Sequence, residues 1–291
     1  MLAAYIDRIK QVYPELRIQD VEINEIGQNN SVFIINQSFV FRFPKYKAGI
    51  DRLLDETKIL ELVRGYSSQP IPEPIYQSFD ELEVRKVFVG YPMIPGLPMC
   101  NEQLKQIGSD LEQKKLSLQL VNFLIQLHAV SEKEVKKLLP SQSIDLKEEY
   151  ENMYKRIQMK LFCYMHTDAK AEVSALFEDF FAAIDEFRFT PTLIHGDFGA
   201  SNILWDPAKM EITGIIDFGG SGLGDPAYDF AGILASYGHD FFARCIDLYP
   251  NGDKVANRAV FYQKTFALQE ALHGVENNDN EALVNGLKKY R

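Results

Sequence analysis

The chain has few cysteines, no excess of basic residues and no apolar run long enough to cross a membrane. Its cysteines, Cys100, Cys163 and Cys245, are scattered, odd in number and without metal-ligand spacing, so we expect free thiols in a reducing cytoplasm. Lys and Arg number 31 against 41 Asp and Glu, and the net charge is -10. This balance argues against a nucleic-acid or membrane partner and is compatible with a cationic small molecule. We see no targeting signal and expect a cytoplasmic protein.

Residues 195–202, HGDFGASN, and residues 215–219, IIDFG, carry the clearest chemical pattern in the chain. Asp197 is followed five positions later by Asn202, and Asp217 comes fifteen positions after that. A base that orients an acceptor hydroxyl and two oxygen ligands for Mg²⁺ are the parts that nucleotide-dependent phosphoryl transfer requires. The pattern therefore predicts a phosphoryl-transfer centre.

The surrounding residues indicate why these side chains converge. Short apolar runs before residue 195 and after residue 202 predict strands, so a sheet holds the loop at both ends. Gly196 and Gly199 allow a tight turn that presents Asp197 as the catalytic residue. The neutral amide of Asn202 and the carboxylate of Asp217 suit Mg²⁺, which takes few protein ligands and many phosphate or water oxygens.

A simpler interpretation is that Asp197 and Asp217 are turn residues, because Asp beside Gly is common in turns. Each dipeptide alone favours that interpretation, whereas the joint pattern between strands favours the catalytic one. For His195 we expect a structural role, holding the loop by hydrogen bonds, rather than direct chemistry.

The segments HGDFGASNIL, IIDFGGSG and GDPAYDFA resemble those of the aminoglycoside phosphotransferase family, and most closely its 2''-O-phosphotransferase branch. Residues 39–45 and 55–60 lie in the expected order upstream. The resemblance implies a kinase that transfers the γ-phosphoryl group of ATP or GTP, with Mg²⁺, to a hydroxyl of a small molecule. An aminoglycoside antibiotic is the leading acceptor. Macrolides, amino alcohols and sugars, which the same scaffold also serves, remain open.

The predicted fold is α+β, a protein-kinase-like two-lobe fold with a five-stranded antiparallel N-lobe sheet and a mainly helical C-lobe. Apolar spacing predicts a first helix over 2–12 and a second over 51–63, and strands near 21–26, 32–35, 39–43, 75–79 and 84–89. A proline-rich segment over 92–98 separates an N-terminal lobe, 1–91, from a C-terminal lobe, 99–291, which contains the catalytic loop and the substrate site.

The nucleotide is expected to bind in the N-terminal lobe and hinge. The backbone N–H groups of Gly27 and of the polar residues up to Ser31 can face the phosphates, although the segment lacks a full GxGxxG and reads equally as a hairpin turn. Backbone groups of the hinge are expected to contact the purine, with Met93 and Ile94 packing on it. A plain linker is the alternative.

The strand lysine that the resembled family uses on phosphates corresponds to Arg42 here, and its partner glutamate corresponds to Glu56. This departure puts the phosphate geometry in question, because Arg is longer and flatter than Lys. Lys45 is the alternative cation. A nucleotide-binding pseudokinase is a second hypothesis for the whole chain, which the presence of the catalytic acids opposes.

The resemblance also suggests acceptor-side residues. Asp229 is the last residue of the segment GDPAYD, which in the resembled family supports the catalytic loop, and it is also expected on the acceptor side. Glu270 and Glu276 lie on a late helix where carboxylates could face the ammonium groups of an acceptor. A solvated acidic helix face is the alternative for the last two.

Overall fold

The computed structural model describes residues 2–24, 29–142, 144–184 and 188–291. Its α-helices are Leu2–Val12 (α1), Lys47–Val63 (α2), Asn101–Gln106 (α3), Asp110–His128 (α4), Glu132–Leu138 (α5), Leu146–Lys160 (α6), Thr167–Ala182 (α7), Ala227–Leu248 (α8), Gly252–Asn277 (α9) and Asn280–Gly286 (α10). Its strands are Val21–Asn24 (β1), Asn30–Ile35 (β2), Phe39–Pro44 (β3), Tyr76–Ser78 (β4), Phe88–Pro92 (β5), Leu97–Pro98 (β6), Thr192–Ile194 (β7), Ile203–Asp206 (β8), Glu211–Ile215 (β9) and Gly222–Gly224 (β10).

The N-terminal part is the predicted five-stranded antiparallel sheet, in the order β1-β2-β3-β5-β4. Alternation along β3 places Phe41 and Phe43, both fully buried, against Phe33 and Phe88 in an aromatic core beneath α1. Arg42 points to the opposite face of the sheet. The strands therefore present a single cation to the face that is turned away from their own core.

One predicted strand is displaced. The sequence suggested a strand over 84–89, whereas β5 begins at Phe88. Residues 83–87 form a turn, in which the N–H groups of Lys86 and Val87 both donate to the Glu83 carbonyl and Arg85 adopts a φ of 73°. A local turn with a positive φ is incompatible with strand pairing, whatever the β-propensity of the residues.

The predicted hinge, residues 92–98, begins at the last residue of β5 and ends in β6. β6 pairs with β8 rather than with the first sheet, so it joins the three-stranded sheet β6-β8-β9. The lobe boundaries stay a prediction, but these pairings explain why the chain changes sheets within this segment.

The rest of the chain is mainly helical, as predicted, and it encloses the largest apolar core. α8 is broken at Gly238, where φ is 79° and ψ is -178°. In the described residues no helix has both the length and the apolar character needed to cross a membrane. The cysteines are all free thiols, as expected.

Candidate active site

The catalytic loop, residues 195–202, runs from β7 to β8 and is held by His195. The backbone N–H of Asp197 donates to His195 Nδ1 at 3.2 Å, so the ring proton lies on Nε2 and is donated to the carbonyl of Ile216 at 3.0 Å. The imidazole is completely buried. These bonds agree with the structural role expected for His195.

Asp229, on α8, fixes the start of the same loop. One carboxylate oxygen accepts the backbone N–H of His195 at 2.8 Å, and the other accepts that of Gly196 at 2.9 Å. His128 Nε2 lies 3.0 Å from the first of these oxygens, and its Nδ1 lies 2.9 Å from the Tyr249 hydroxyl. Since Asp229 is 0% exposed, the structure contradicts the expected contact with the acceptor, whereas these hydrogen bonds agree with the expected support of the catalytic loop.

The backbone at position 196 requires glycine. Its φ is 78°, and a Cβ atom there would lie 2.2 Å from the carbonyl oxygen of Gly220. The close contact brings the catalytic loop against the 3₁₀ turn Phe218–Gly220, which directly follows Asp217. A glycine at this position therefore allows the two segments that carry the predicted chemistry to meet.

Asp197 and Asn202 form a pair at the end of the loop. Asn202 Nδ2 donates to the Asp197 carbonyl oxygen at 2.9 Å and to its Oδ2 at 2.8 Å. Both hydrogen bonds are donated by the side-chain nitrogen, so Oδ1 of Asn202 points away from Asp197. No donor within the described ranges forms a hydrogen bond with this oxygen. Asp197 remains exposed. The pair thus offers a carboxylate and an amide oxygen side by side.

Asp217 is joined to this pair through the backbone. The N–H of Ile216 donates to the Asn202 carbonyl at 2.9 Å, so the next residue, Asp217, lies beside the catalytic loop. Its φ of 63° is unusual for a residue other than glycine, and half of its side-chain surface is exposed. The strained backbone holds the carboxylate in the open cleft rather than in a hydrogen-bonded turn.

Arg42 connects the N-terminal sheet to this centre. Its Nη1 lies 2.5 Å from Glu56 Oε1 on α2, and its Nη2 lies 3.4 Å from Asp217 Oδ1. Burial is the largest single effect and lowers the pKa of Arg42, but the nearby negative charges, Glu56 first, and the hydrogen bond to Glu56 together raise the pKa above its ordinary value. For Glu56, in contrast, burial raises the pKa, and the charge of Arg42 opposes this rise. The cation is therefore permanent and is fixed in the cleft by two carboxylates.

The remaining residues of the predicted nucleotide site differ in their surroundings. Gly27 lies outside the described residues. Ser31 is paired with Phe43 across β2 and β3, so its side chain shares the face opposite to Arg42, which leaves its backbone as the group for phosphate contact. The N–H of Met93 already donates to the Ser38 carbonyl at 2.7 Å, while the residue as a whole is 41% exposed. The side chain of Ile94 packs on Gly214 of β9.

We expect Arg42→Lys to retain substantial turnover, because the lysine still supplies a cation beside Glu56. The double variant Arg42→Ala/Glu56→Gln removes the cation without leaving an unpaired buried carboxylate. We expect it to weaken nucleotide binding by roughly 10- to 100-fold, since a charge-assisted hydrogen bond contributes about 1.5–3 kcal/mol. Titration calorimetry with nucleotide measures the change. Lys45→Ala is the comparison, and a severe loss there beside a silent double variant would assign the phosphate cation to Lys45.

A cavity of about 580 Å³ opens in front of Asp197, between the catalytic loop, α8 and α9. α8 contributes one face, at 228, 232, 235 and 236, and α9 contributes Phe266 and Gln269. Sequence reasoning missed these residues. Their spacings of three and four predict shared helix faces, but only the packing of the helices shows which face meets the catalytic loop.

The two acidic residues expected on α9 do not line this cavity. Glu270 is exposed to solvent. Glu276 is held by Arg156, whose Nη2 lies 2.5 Å from Oε2, and by Lys160, whose Nζ lies 2.7 Å from Oε1. Its charge is therefore already paired within the protein, which opposes the expected role in binding an acceptor.

We expect Glu276→Gln to lower the free energy of unfolding by less than about 1 kcal/mol and to leave the acceptor KM unchanged, because this ion pair is largely exposed to solvent. Arg156, followed by Lys160, lowers the pKa of Glu276 from 4.5 to about 2. A carboxylate whose pKa is lower in the folded than in the unfolded protein stabilises the fold at pH values above its unfolded pKa. The difference in free energy of unfolding between parent and variant should therefore be present above pH 4.5 and fade as the pH falls toward 2. Denaturant unfolding across this range measures it, and a raised acceptor KM would restore the binding role.

Taken together, a five-stranded sheet, a mainly helical second lobe and an Asp-Asn-Asp centre in the cleft define a kinase-like phosphotransferase. The chain matches the model of the phosphotransferase enzyme family over residues 20–262, and it belongs to that family. It is 28% identical over 301 residues to viomycin phosphotransferase of Streptomyces vinaceus, covering 100% of this chain and 99% of the relative.

Solved structures with the same fold include the GDP complex of wild-type aminoglycoside 2'-phosphotransferase-IIIa, with a TM-score of 0.89 and 25% identity over 98% of this chain and 96% of the other. The GDP and kanamycin complex of APH(2'')-IIIa gives a TM-score of 0.88, with the same identity and coverage. The predicted kinase-like fold and the resemblance to the 2''-phosphotransferase branch are therefore confirmed. The protein is a small-molecule O-phosphotransferase of the antibiotic kinase type.

Proposed function

We propose that the chain transfers the γ-phosphoryl group of ATP or GTP to a hydroxyl of an aminoglycoside. The supporting observation is the position of Asp197, which faces a cavity large enough for a small molecule and is held by Asn202 beside the cleft that Arg42 and Asp217 enter. Relatives that act on viomycin and that bind GDP and kanamycin support the class of donor and acceptor.

Asp197 orients the acceptor hydroxyl and takes its proton during attack on the phosphorus atom, and the nucleoside diphosphate leaves with the bridging oxygen. The donor set fits Mg²⁺, because Asn202 Oδ1 and the Asp217 carboxylate both offer hard oxygen atoms. The hydrogen bonds of the Asn202 amide use its nitrogen, and the Asp217 carboxylate has only a long contact, of 3.4 Å, with Arg42. Asn202 and Asp217 would hold the ion, which when bound neutralises phosphate charge. Arg42, fixed by Glu56, holds the phosphate end of the nucleotide in place.

Transfer is tested with purified protein, ATP or GTP in separate reactions, and a panel of aminoglycosides, viomycin, a macrolide and an amino alcohol. The expected result is an aminoglycoside product that is heavier by one phosphoryl group in mass spectrometry. Phosphorylation of the macrolide or the amino alcohol alone would contradict the acceptor assignment. Nucleotide binding without transfer to any member of the panel would oppose the proposed function and favour the pseudokinase hypothesis.

A further inference from the structure

One face of α8 bonds to the catalytic loop at both of its ends. The carboxylate of Asp229 accepts the backbone N–H groups of residues 195–196, at the start of the loop. Seven positions later on the helix, the hydroxyl oxygen of Ser236 accepts the N–H of Ala200 at 3.0 Å. Residues three, four or seven apart lie on the same side of an α-helix, so these two side chains face the loop together. The helix therefore bonds to the loop on both sides of Asp197.

Gly232 lies between these two residues, on the same face of the helix. A Cβ atom at this position would lie 2.3 Å from the carbonyl oxygen of Phe198 and 2.9 Å from its carbonyl carbon. Atoms in a folded protein do not approach each other so closely, so any side chain at this position has to displace the backbone of the loop. Phe198 directly follows Asp197 in the chain. The residue at position 232 therefore acts on the peptide group next to the proposed base.

The loop has little freedom to absorb such a displacement. Phe198 is 1% exposed, and its ring stacks on that of Phe123 in α4, with the ring centroids 5.7 Å apart and the planes at 7°. The N–H of Gly199 donates to the Asp197 carbonyl at 2.9 Å, and the N–H of Asn202 donates to the Gly199 carbonyl at 3.0 Å. A closely packed ring and successive backbone bonds pass a shift on to neighbouring residues. The face of α8 therefore determines where the Asp197 side chain lies.

We propose that Gly232 and Ser236 are positioning residues, which place Asp197 for proton transfer by holding residues 198–200 against α8. Gly232 does so by leaving room for the backbone of the loop, and Ser236 does so by its hydrogen bond to the loop. This inference rests on the proposed function for the role of Asp197 as the base. It gives both residues a part in the reaction that their place in a cavity wall does not indicate.

Two variants test the inference, each with a control that carries the same substitution elsewhere. Ser236→Ala removes the bond to the loop, and Ser117→Ala is its control, because the Ser117 hydroxyl donates to the Lys114 carbonyl within its own helix. Gly232→Ala places a Cβ atom against the loop, and Gly108→Ala is its control, because a Cβ atom there would meet nothing within 4 Å. Circular dichroism and thermal unfolding check that each variant is folded.

We expect kcat to fall by roughly 3- to 10-fold in Ser236→Ala, the usual effect of one lost hydrogen bond. In Gly232→Ala it should fall by roughly 100-fold, the effect of moving a reacting group by about 1 Å. The Kd values of nucleotide and acceptor, measured by titration calorimetry, should stay within about threefold of the parent, because the displaced group acts in the reaction step. Ser236→Thr, which keeps a hydroxyl group, should recover most of the lost turnover, and both controls should match the parent.

A merely structural role is separated by repeating Ser236→Ala in the Asp197→Ala variant. If Ser236 acts through Asp197, the second substitution should lower the residual turnover by less than about twofold, because no base is left to misplace. A loss of folded enzyme would instead lower turnover by the same factor in both backgrounds. Equal factors would overturn the inference and leave the kinase activity standing. Turnover equal to that of the parent in Ser236→Ala, or in folded Gly232→Ala, would overturn it as well.

Amide hydrogen exchange over residues 195–202 gives a measurement that does not depend on turnover. Exchange in this segment should be faster in Ser236→Ala than in the parent, because the N–H of Ala200 loses its acceptor, and Ser117→Ala should leave it unchanged. Faster exchange in Ser236→Ala, beside a parent that phosphorylates no acceptor, would contradict the proposed function and leave the positioning of the loop by α8 standing. Unchanged exchange in Ser236→Ala would overturn the inference whatever the turnover.

Discussion

Replacing Asp197 by alanine is expected to lower kcat by about 100- to 10,000-fold, the usual contribution of a general base, while nucleotide affinity changes by less than about twofold. The carboxylate faces the acceptor cavity, and its protein partner is the Asn202 amide rather than Arg42 or Glu56. In the proposed mechanism the side chain therefore contacts the group that is phosphorylated and not the triphosphate. Kinetics with a saturating aminoglycoside and nucleotide titrations by calorimetry measure the two quantities separately.

Asp197→Asn is the matched variant for this prediction. It keeps the size of the side chain and an oxygen that can accept from Asn202 Nδ2, but it cannot take a proton at neutral pH. Loss of turnover in both variants would show that Asp197 acts by accepting the proton. Nearly normal turnover of Asp197→Asn would instead reduce the role of Asp197 to positioning Asn202. Turnover of the alanine variant within threefold of the parent would remove Asp197 from the mechanism altogether.

The positions of the proposed catalytic side chains could be predicted from the sequence because their arrangement is local. Asp197, Asn202 and Asp217 lie in short loops that adjoin strands, so the spacing along the chain determines where the side chains emerge. Arg42 follows from the same logic, since the alternation that buries Phe41 and Phe43 turns it to the other face of β3. Two-residue periodicity is a strong signal wherever one face of a sheet has to be apolar.

Other features depend on contacts between residues that are distant in sequence. Asp229 was expected both to support the catalytic loop and to contact the acceptor, and only the fold, which buries it completely beside backbone N–H groups more than thirty residues away, decides between the two. Glu276 resembles a substrate contact until Arg156, 120 residues away, is seen to pair with it. A pattern of charges on a helix shows which residues share a face, but the partner that satisfies each charge is decided by tertiary packing.

The second large effect is expected for Asp217→Asn, which should weaken Mg²⁺-dependent nucleotide binding and lower turnover by about 100-fold or more, since a metal ion contributes several kcal/mol to the stabilisation of developing charge. Asparagine tolerates the φ of 63° at this position and keeps the oxygen that lies 3.4 Å from Arg42, so the variant removes the charge with little strain on the loop. Nucleotide titrations by calorimetry with and without Mg²⁺ measure the effect, and the difference between them should shrink in the variant. Asp206→Asn, at the last residue of β8, is the control, because its amide oxygen can still accept the N–H of Ala208 in the turn that follows. A metal dependence in Asp217→Asn equal to that of the parent would leave Asp217 as a strained turn residue with no part in holding the ion.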